Sequence, residues 1–263
     1  AEGYSLQDWL FTKIFPIEDQ LEPEDIYWGT MLGIAEMVRT GTTLVNDCYY
    51  FMDRAAAAYS ETGFNANISR GLMNDQLKED YSDDYRLKEM IELFESYNGK
   101  YDDQIRVECF PHAIYTCSPQ YFRYIAKVAD KYGIPVTSHI SENETENREC
   151  LEKYGKTPVQ VYQESGLLNR PVNIAHGVWM TDDDLEIVRS SGSTVTHNPA
   201  SNLKLGSGIA NILKYSNMGI NIALGTDGCS SNNNLNLFEE MNLAALLLAG
   251  TNEPSLVKPF EIL

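Results

Sequence analysis

Ile134-Pro135-Val136-Thr137-Ser138 runs into His139, Val172-Asn173-Ile174-Ala175 into His176, and Ile220-Asn221-Ile222-Ala223-Leu224 into Gly225-Thr226-Asp227. Each is a short apolar or β-branched run, the pattern of a buried strand, and each ends on a side chain able to bind a cation or move a proton. Barrel enzymes carry their catalytic groups at the carboxyl ends of their strands. The three runs therefore predict an active site along one rim of a β/α barrel.

Outward from these runs the pattern alternates. The segment Glu22-Pro23-Glu24-Asp25 places a proline and three acids at the start of a helix reaching Arg39, closed by Gly41. Strands are expected at 42–46, 66–69, 105–110, 134–138, 172–175, 194–196 and 220–224. Helices are expected at 51–62, 83–97, 118–132, after Glu144, and at 182–190, 210–218 and 235–248. With no Pro/Gly/Ser-rich linker and no low-complexity tract, one continuous parallel α/β domain follows. An open doubly wound sheet is the alternative, but Thr42-Thr43-Leu44-Val45-Asn46-Asp47 lacks the glycine-rich phosphate turn that usually follows its first strand. The expected fold is a (β/α)8 TIM-type barrel. Only seven of its strands can be read. The chain opens in Gly3-Tyr4-Ser5-Leu6-Gln7-Asp8-Trp9-Leu10 and stops at Phe260-Glu261-Ile262-Leu263, which reads like the middle of a helix. The expectation is a single catalytic barrel domain, residues 1–263, lacking its first strand and its C-terminal end.

Size and charge narrow the function. A chain of 263 residues suits one barrel and buries a sizeable core. A formal charge of −18 argues against a nucleic-acid partner, since phosphate binding needs a basic face. No apolar run approaches the ~20 residues of a membrane span, and Ala1-Glu2-Gly3-Tyr4 shows no signal-peptide pattern. The five cysteines are odd in number and form no CxxC pair, which reads most simply as reduced thiols in a cytoplasmic enzyme.

The chemistry begins at His139-Ile140-Ser141-Glu142. A strand-end imidazole can face a cation while a carboxylate three residues on reaches the same cavity. Each has a bland counterpart: a hydrogen-bonded structural histidine, and a run of acids (Glu142, Glu144, Glu146, Glu149) forming a solvated helix face. His176-Gly177 ends the next strand, and its glycine would allow a ligand close to the backbone. Asp227, between Gly225-Thr226 and Gly228, is either a site acid or a turn former. Three such groups on one rim favour a site. His197-Asn198-Pro199-Ala200-Ser201-Asn202-Leu203-Lys204-Leu205-Gly206 reads as a long polar loop, suited to a polar heterocycle or to organising its neighbours. His112, in Pro111-His112-Ala113, lies just past a strand on the same rim.

These stretches, with Leu224-Gly225-Thr226-Asp227-Gly228, Ser69-Arg70-Gly71-Leu72 and Ser231-Asn232-Asn233, resemble the amidohydrolase superfamily. Within it they are most similar to the 5-methylthioadenosine/S-adenosylhomocysteine deaminases and related aminohydrolases and chlorohydrolases. The resemblance implies a distorted barrel with one divalent metal, usually zinc, with iron or manganese in some relatives. It implies metal ligation by His139 and Asp227, proton shuttling by Glu142, and a water-orienting or deprotonating role for His176. It places Glu18, Arg70, His112, Glu142 and His197 against a small-molecule heterocyclic substrate, and a homodimer or higher homo-oligomer is a family-level expectation. The reaction implied is release of ammonia from an aminated purine-type nucleoside; the rivals are a chlorohydrolase or other amidohydrolase acting on a triazine or cyclic amide, and a noncatalytic ligand-binding barrel. The family's His-x-His pair on the first strand is absent: His112, His139, His176 and His197 are the four histidines. The expected zinc site is therefore short of ligands, and its missing part, like the family's small β-sandwich, is expected in a longer parent chain.

Overall fold

The computed structural model describes residues 3–251, so the predicted helical run at Phe260–Leu263 lies outside the described residues. Eight strands form: β1 (Leu44–Tyr49), β2 (Asn65–Leu72), β3 (Ile105–Val107), β4 (Phe110–Pro111), β5 (Val136–Ile140), β6 (Val172–His176), β7 (Thr194–His197) and β8 (Asn221–Leu224). All pairings are parallel, in the order β1-β2-β3 with β4 also on β2, and β5-β6-β7-β8. The two sets join where Cys109 N donates to Pro135 O, Thr137 N to Cys109 O and His139 N to His112 O. Strand order thus follows chain order throughout. A doubly wound sheet must reverse its order at a switch point, so that alternative falls and the α/β-barrel arrangement stands.

β3 and β4 are two pieces of one predicted strand, 105–110. Its backbone breaks at Glu108-Cys109, where the chain bonds β2 through Glu108 N to Ile68 O (3.0 Å) and then turns to β5. Together they make seven staves, the number read from the sequence. Among the described residues β1 pairs only with β2 and β8 only with β7. Leu235, past β8, is tied to the helix before β1: its N–H donates to Glu36 and its carbonyl accepts from the Thr40 hydroxyl.

Local sequence explains the helices that wrap the staves. In Pro119–Tyr132, Ser118 Oγ accepts from Tyr121 N (3.1 Å), Pro119 takes the first turn, where no amide hydrogen is needed, and Gly133 ends the helix at φ +67°. Its Tyr121, Phe122, Ile125, Ala126, Val128 and Ala129 are buried at helical spacing against β5 and its neighbours. On the other side Pro23–Arg39 and Met52–Thr62 cover β1 to β3 through Ile34, Met37, Ala55, Ala58, Ile68 and Val107. No helix among the described residues is long and apolar enough to cross a membrane. All five cysteines are free.

Two local expectations change. The stretch 197–206 is not a loop throughout: Pro199–Lys204 is a short helix, with Pro199 at its first turn. At Gly177 the neighbours are side chains of the fold. A Cβ there would lie 2.9 Å from Met180 Cε and 3.1 Å from Val195 Cγ1, and its φ is +55°, so packing and backbone conformation call for glycine.

Candidate active site

The carboxyl ends of β5, β6 and β8 bring His139, Glu142, His176 and Asp227 into one cavity. Three turns off these strands use left-handed backbone at non-glycine residues: Ser141 at φ +54°, His176 at +72° and Asp227 at +58°. Such conformations cost energy and persist where surrounding bonds over-determine them, as at functional sites. The His139 and His176 ring centroids are 5.5 Å apart, and His112 lies 4.9 Å from His139. His176 Nε2 sits 3.7 Å from Glu142 Oε2 and 4.0 Å from Asp227 Oδ2.

Hydrogen bonds fix which nitrogen of each imidazole is free. His139 Nδ1 donates to the His112 carbonyl (3.0 Å) and His176 Nδ1 to Asn202 Oδ1 (2.8 Å), because those oxygens can only accept. Both Nε2 lone pairs are left for the cavity. Asp227 is held from three sides: Oδ2 accepts from the Ser201 and Ser231 hydroxyls (2.6 and 2.8 Å) and Oδ1 from Gly228 N (2.7 Å). Glu142 Oε1 accepts from the Ser207 hydroxyl at 3.4 Å.

This scaffold separates the two carboxyl groups. Burial, reinforced by the Asp227 charge, pushes Glu142 up to about 7. Burial also pushes Asp227 up, but His176, the Ser201 hydroxyl and His139 outweigh it and hold Asp227 below its usual value. One acid is thus kept ready to give a proton near neutral pH while its neighbour stays ionised, the division of labour expected of a paired acid and base. Burial lowers His139 and takes His112 down to about 3 and His197 to about 4, so the His112 and His197 rings are neutral.

The other predicted residues occupy the surrounding rim. His112 Nδ1 lies 2.9 Å from the Thr116 hydroxyl, and buried His197 has no partner for its Nδ1. Glu18 shares hydrogen bonds with Tyr49 and Tyr50. Arg70 is buried, stacks 4.7 Å from the Tyr50 ring centroid and bonds Glu89 through Nε at 2.7 Å. Glu18 and Arg70 therefore meet through Tyr50, with Arg70 already engaged by a structural ion pair. Sequence reasoning missed Asn202 as the partner of His176, Ser201 and Ser231 as the partners of Asp227, and Ser207 as that of Glu142. Their proximity to the site in the chain was visible, but their targets depend on the tertiary fold.

The residues present fit part of a divalent-metal site. Two imidazoles whose Nδ1 atoms are engaged and whose Nε2 atoms are free, with a carboxylate beside them, are the donors that zinc prefers. Yet Asp227 already accepts three hydrogen bonds, and among the described residues no group of three or more His, Cys, Asp or Glu side chains converges closely enough to hold an ion.

Comparison with known proteins agrees with this architecture. The 5-methylthioadenosine/S-adenosylhomocysteine deaminase of Caldanaerobacter subterraneus subsp. tengcongensis is 43% identical over 100% of this chain and 60% of its own length. The 5'-deoxyadenosine deaminase of Methanopyrus kandleri is 39% identical over 100% of this chain and 61% of its own. A zinc-bound adenosine deaminase structure from Xanthomonas campestris superposes with a TM-score of 0.89 at 34% identity, over 97% of this chain and 58% of that one. The chain thus spans about 60% of the length of the curated relatives it matches. The model of the Amidohydrolase family matches residues 2–263, and with it the parallel barrel and its histidine- and acid-bearing rim have an assignment: the chain belongs to the amidohydrolase family.

Proposed function

We propose that this rim serves the hydrolytic deamination of an adenosine-type nucleoside, with release of ammonia. The observation that carries the reading is the placement of Glu142 and Asp227 within 3.7 and 4.0 Å of the one free nitrogen of His176. His176 Nε2 orients the attacking water, and Asp227, ionised and clamped by two serines, accepts its proton. Glu142 protonates the ring nitrogen beside the carbon under attack. The carbon–oxygen bond forms, Asp227 passes its proton to the amino nitrogen, the carbon–nitrogen bond breaks and ammonia leaves, while the proton of the new hydroxyl returns to Glu142 as the carbonyl forms. A divalent cation, zinc by family resemblance with iron or manganese as alternatives, would be held by His139 and Asp227 and would supply the Lewis acidity that makes water nucleophilic at neutral pH. His112 and His197 line the heterocycle, while Glu18 and Arg70 face the remainder of the nucleoside.

The short donor set and the unpaired edges of β1 and β8 support a further strand between them that brings additional ligands. A cytoplasmic homo-oligomer acting on a small molecule, with neither nucleic acid nor membrane as partner, completes the proposal. The test is a substrate panel with the whole gene product, scoring metal content, ammonia and chloride. Stoichiometric zinc with ammonia from adenosine, 5'-deoxyadenosine, 5-methylthioadenosine or S-adenosylhomocysteine supports deamination. Chloride from a chlorinated triazine without ammonia replaces it with the chlorohydrolase reading, and protein free of metal and inert to the panel is a binding barrel.

A further inference from the structure

Glu146 belongs to the acid run whose alternative reading is a solvated helix face, but its side chain is buried, with 1% of the residue exposed. It occupies the third position of helix Glu144–Tyr154, whose cap, Asn143, accepts from Glu146 N at 2.8 Å. A side chain at that position ordinarily reaches back to the cap's own N–H. Three other helices do so here: Asp25 accepts from Glu22 N (2.8 Å), Gln160 from Thr157 N (3.1 Å) and Asp184 from Thr181 N (2.9 Å). Glu146 instead passes over Asn143 and bonds the two residues before it. Oε2 accepts from Glu142 N at 2.7 Å, and Oε1 from Ser141 N at 3.2 Å.

Those two amides belong to the turn that leaves β5. Ser141 is in left-handed backbone at φ +54°, and its buried hydroxyl has no partner, so its own side chain does nothing to hold that conformation. From the opposite side the Ser141 carbonyl accepts from Val178 N and Trp179 N, both at 2.9 Å. Burial pushes the Glu146 carboxyl up to about 8, opposed by the Glu142, Ser141 and Asn143 amides; once ionised it accepts from both adjacent N–H groups, whereas an amide offers one acceptor and turns an N–H against the other donor.

We infer that Glu146 is a positioning residue for the proposed proton transfer: by stapling the Ser141 and Glu142 amides it fixes the direction in which the Glu142 side chain leaves the backbone. Its stabilising contribution as a helix cap is secondary. This rests on the deaminase reading for its functional half alone. The geometric half stands on the turn itself.

The experiment compares Glu146→Gln with Asp184→Asn, a buried carboxylate at the same helical position that bonds Thr157 and Thr181 and neither Ser141 nor Glu142. Hydrogen exchange at the Ser141 and Glu142 amides is read beside ammonia release by the whole gene product loaded with zinc. Glu146→Gln is expected to speed exchange at both amides ~10-fold or more and to lower kcat ~10- to 100-fold with KM little changed, since misplacement of a catalytic group by ~1 Å is that costly. Asp184→Asn is expected to lower the melting temperature while leaving kcat, KM and the two amides as in the wild type. Amides equally protected in Glu146→Gln overturn the staple. Faster exchange with unchanged kcat overturns the positioning role, as does an equal fall of kcat in Asp184→Asn. If the wild type releases no ammonia while Glu146→Gln still exposes the amides, the deaminase reading fails and the staple survives.

Discussion

Replacing Glu142 by glutamine should stabilise the metal-free protein at alkaline pH while disabling its proposed chemistry. Burial raises the Glu142 carboxyl from 4.5 to about 7. At ~1.4 kcal/mol per pKa unit, ionising it inside the fold costs ~3 kcal/mol relative to the unfolded chain. Between these two values the folded state binds more protons than the unfolded state. Stability therefore falls as pH rises through this window, and the full cost is present above the folded value. Glutamine carries no charge, keeps an oxygen for the Ser207 hydroxyl and turns an N–H toward the His176 Nε2 lone pair 3.7 Å away. In chelator, the two proteins should melt together near pH ~4.5 and separate by ~6–12 °C near pH ~8, the shift that ~3 kcal/mol produces in a chain of this size. Thermal unfolding followed by circular dichroism at the two pH values measures it. A glutamine variant less stable at the higher pH, or an offset independent of pH, would refute the reasoning.

Three further perturbations test other parts of the site. Asn202→Ala removes the acceptor that fixes the His176 tautomer, and should lower kcat by about 10- to 100-fold and mix the two tautomers in the nitrogen NMR spectrum of that ring; an unchanged spectrum contradicts it. Gly225→Ala places a Cβ 2.5 Å from Asn198 Oδ1 and 2.9 Å from Thr196 Cγ2, so its urea midpoint should fall by the equivalent of ~1–3 kcal/mol, and an unmoved midpoint would show that Asn198 can step aside. Arg70→Met should raise KM for a nucleoside with kcat near the wild-type value if Arg70 faces substrate. A KM left unchanged, with only the stability lost from the Glu89 pair, assigns Arg70 to structure alone.

Seven staves were legible in the sequence because their strands, including the more exposed β1 and β8, are written as short β-branched and apolar runs. Their limits were less so. β5 runs 136–140 where 134–138 was expected, and β1 runs 44–49 where 42–46 was expected, because ladder partners set a strand's ends. The 105–110 run divides at Glu108-Cys109, where Cys109 bonds β5 before Phe110–Pro111 pairs with β2 again, a break no periodicity records. Helix Pro199–Lys204 is too short to show a periodic face, and its position is instead tied to Asp227 through Ser201. At the site, His139, His176 and Asp227 could be read because each ends a recognisable strand. Glu146 could not: its neighbours Glu144 and Glu149 are exposed, and only the return of the chain over β5 buries it.

The most direct measurement of the central claim is ammonia release from an adenosine-type nucleoside by the zinc-loaded whole gene product and its Glu142→Gln variant. The account predicts one ammonia per nucleoside from the wild type, and a rate at least ~100-fold lower in the variant with zinc still bound. Equal rates in the two proteins would show that Glu142 delivers no proton, and the shared acid–base cavity would lose its assigned purpose.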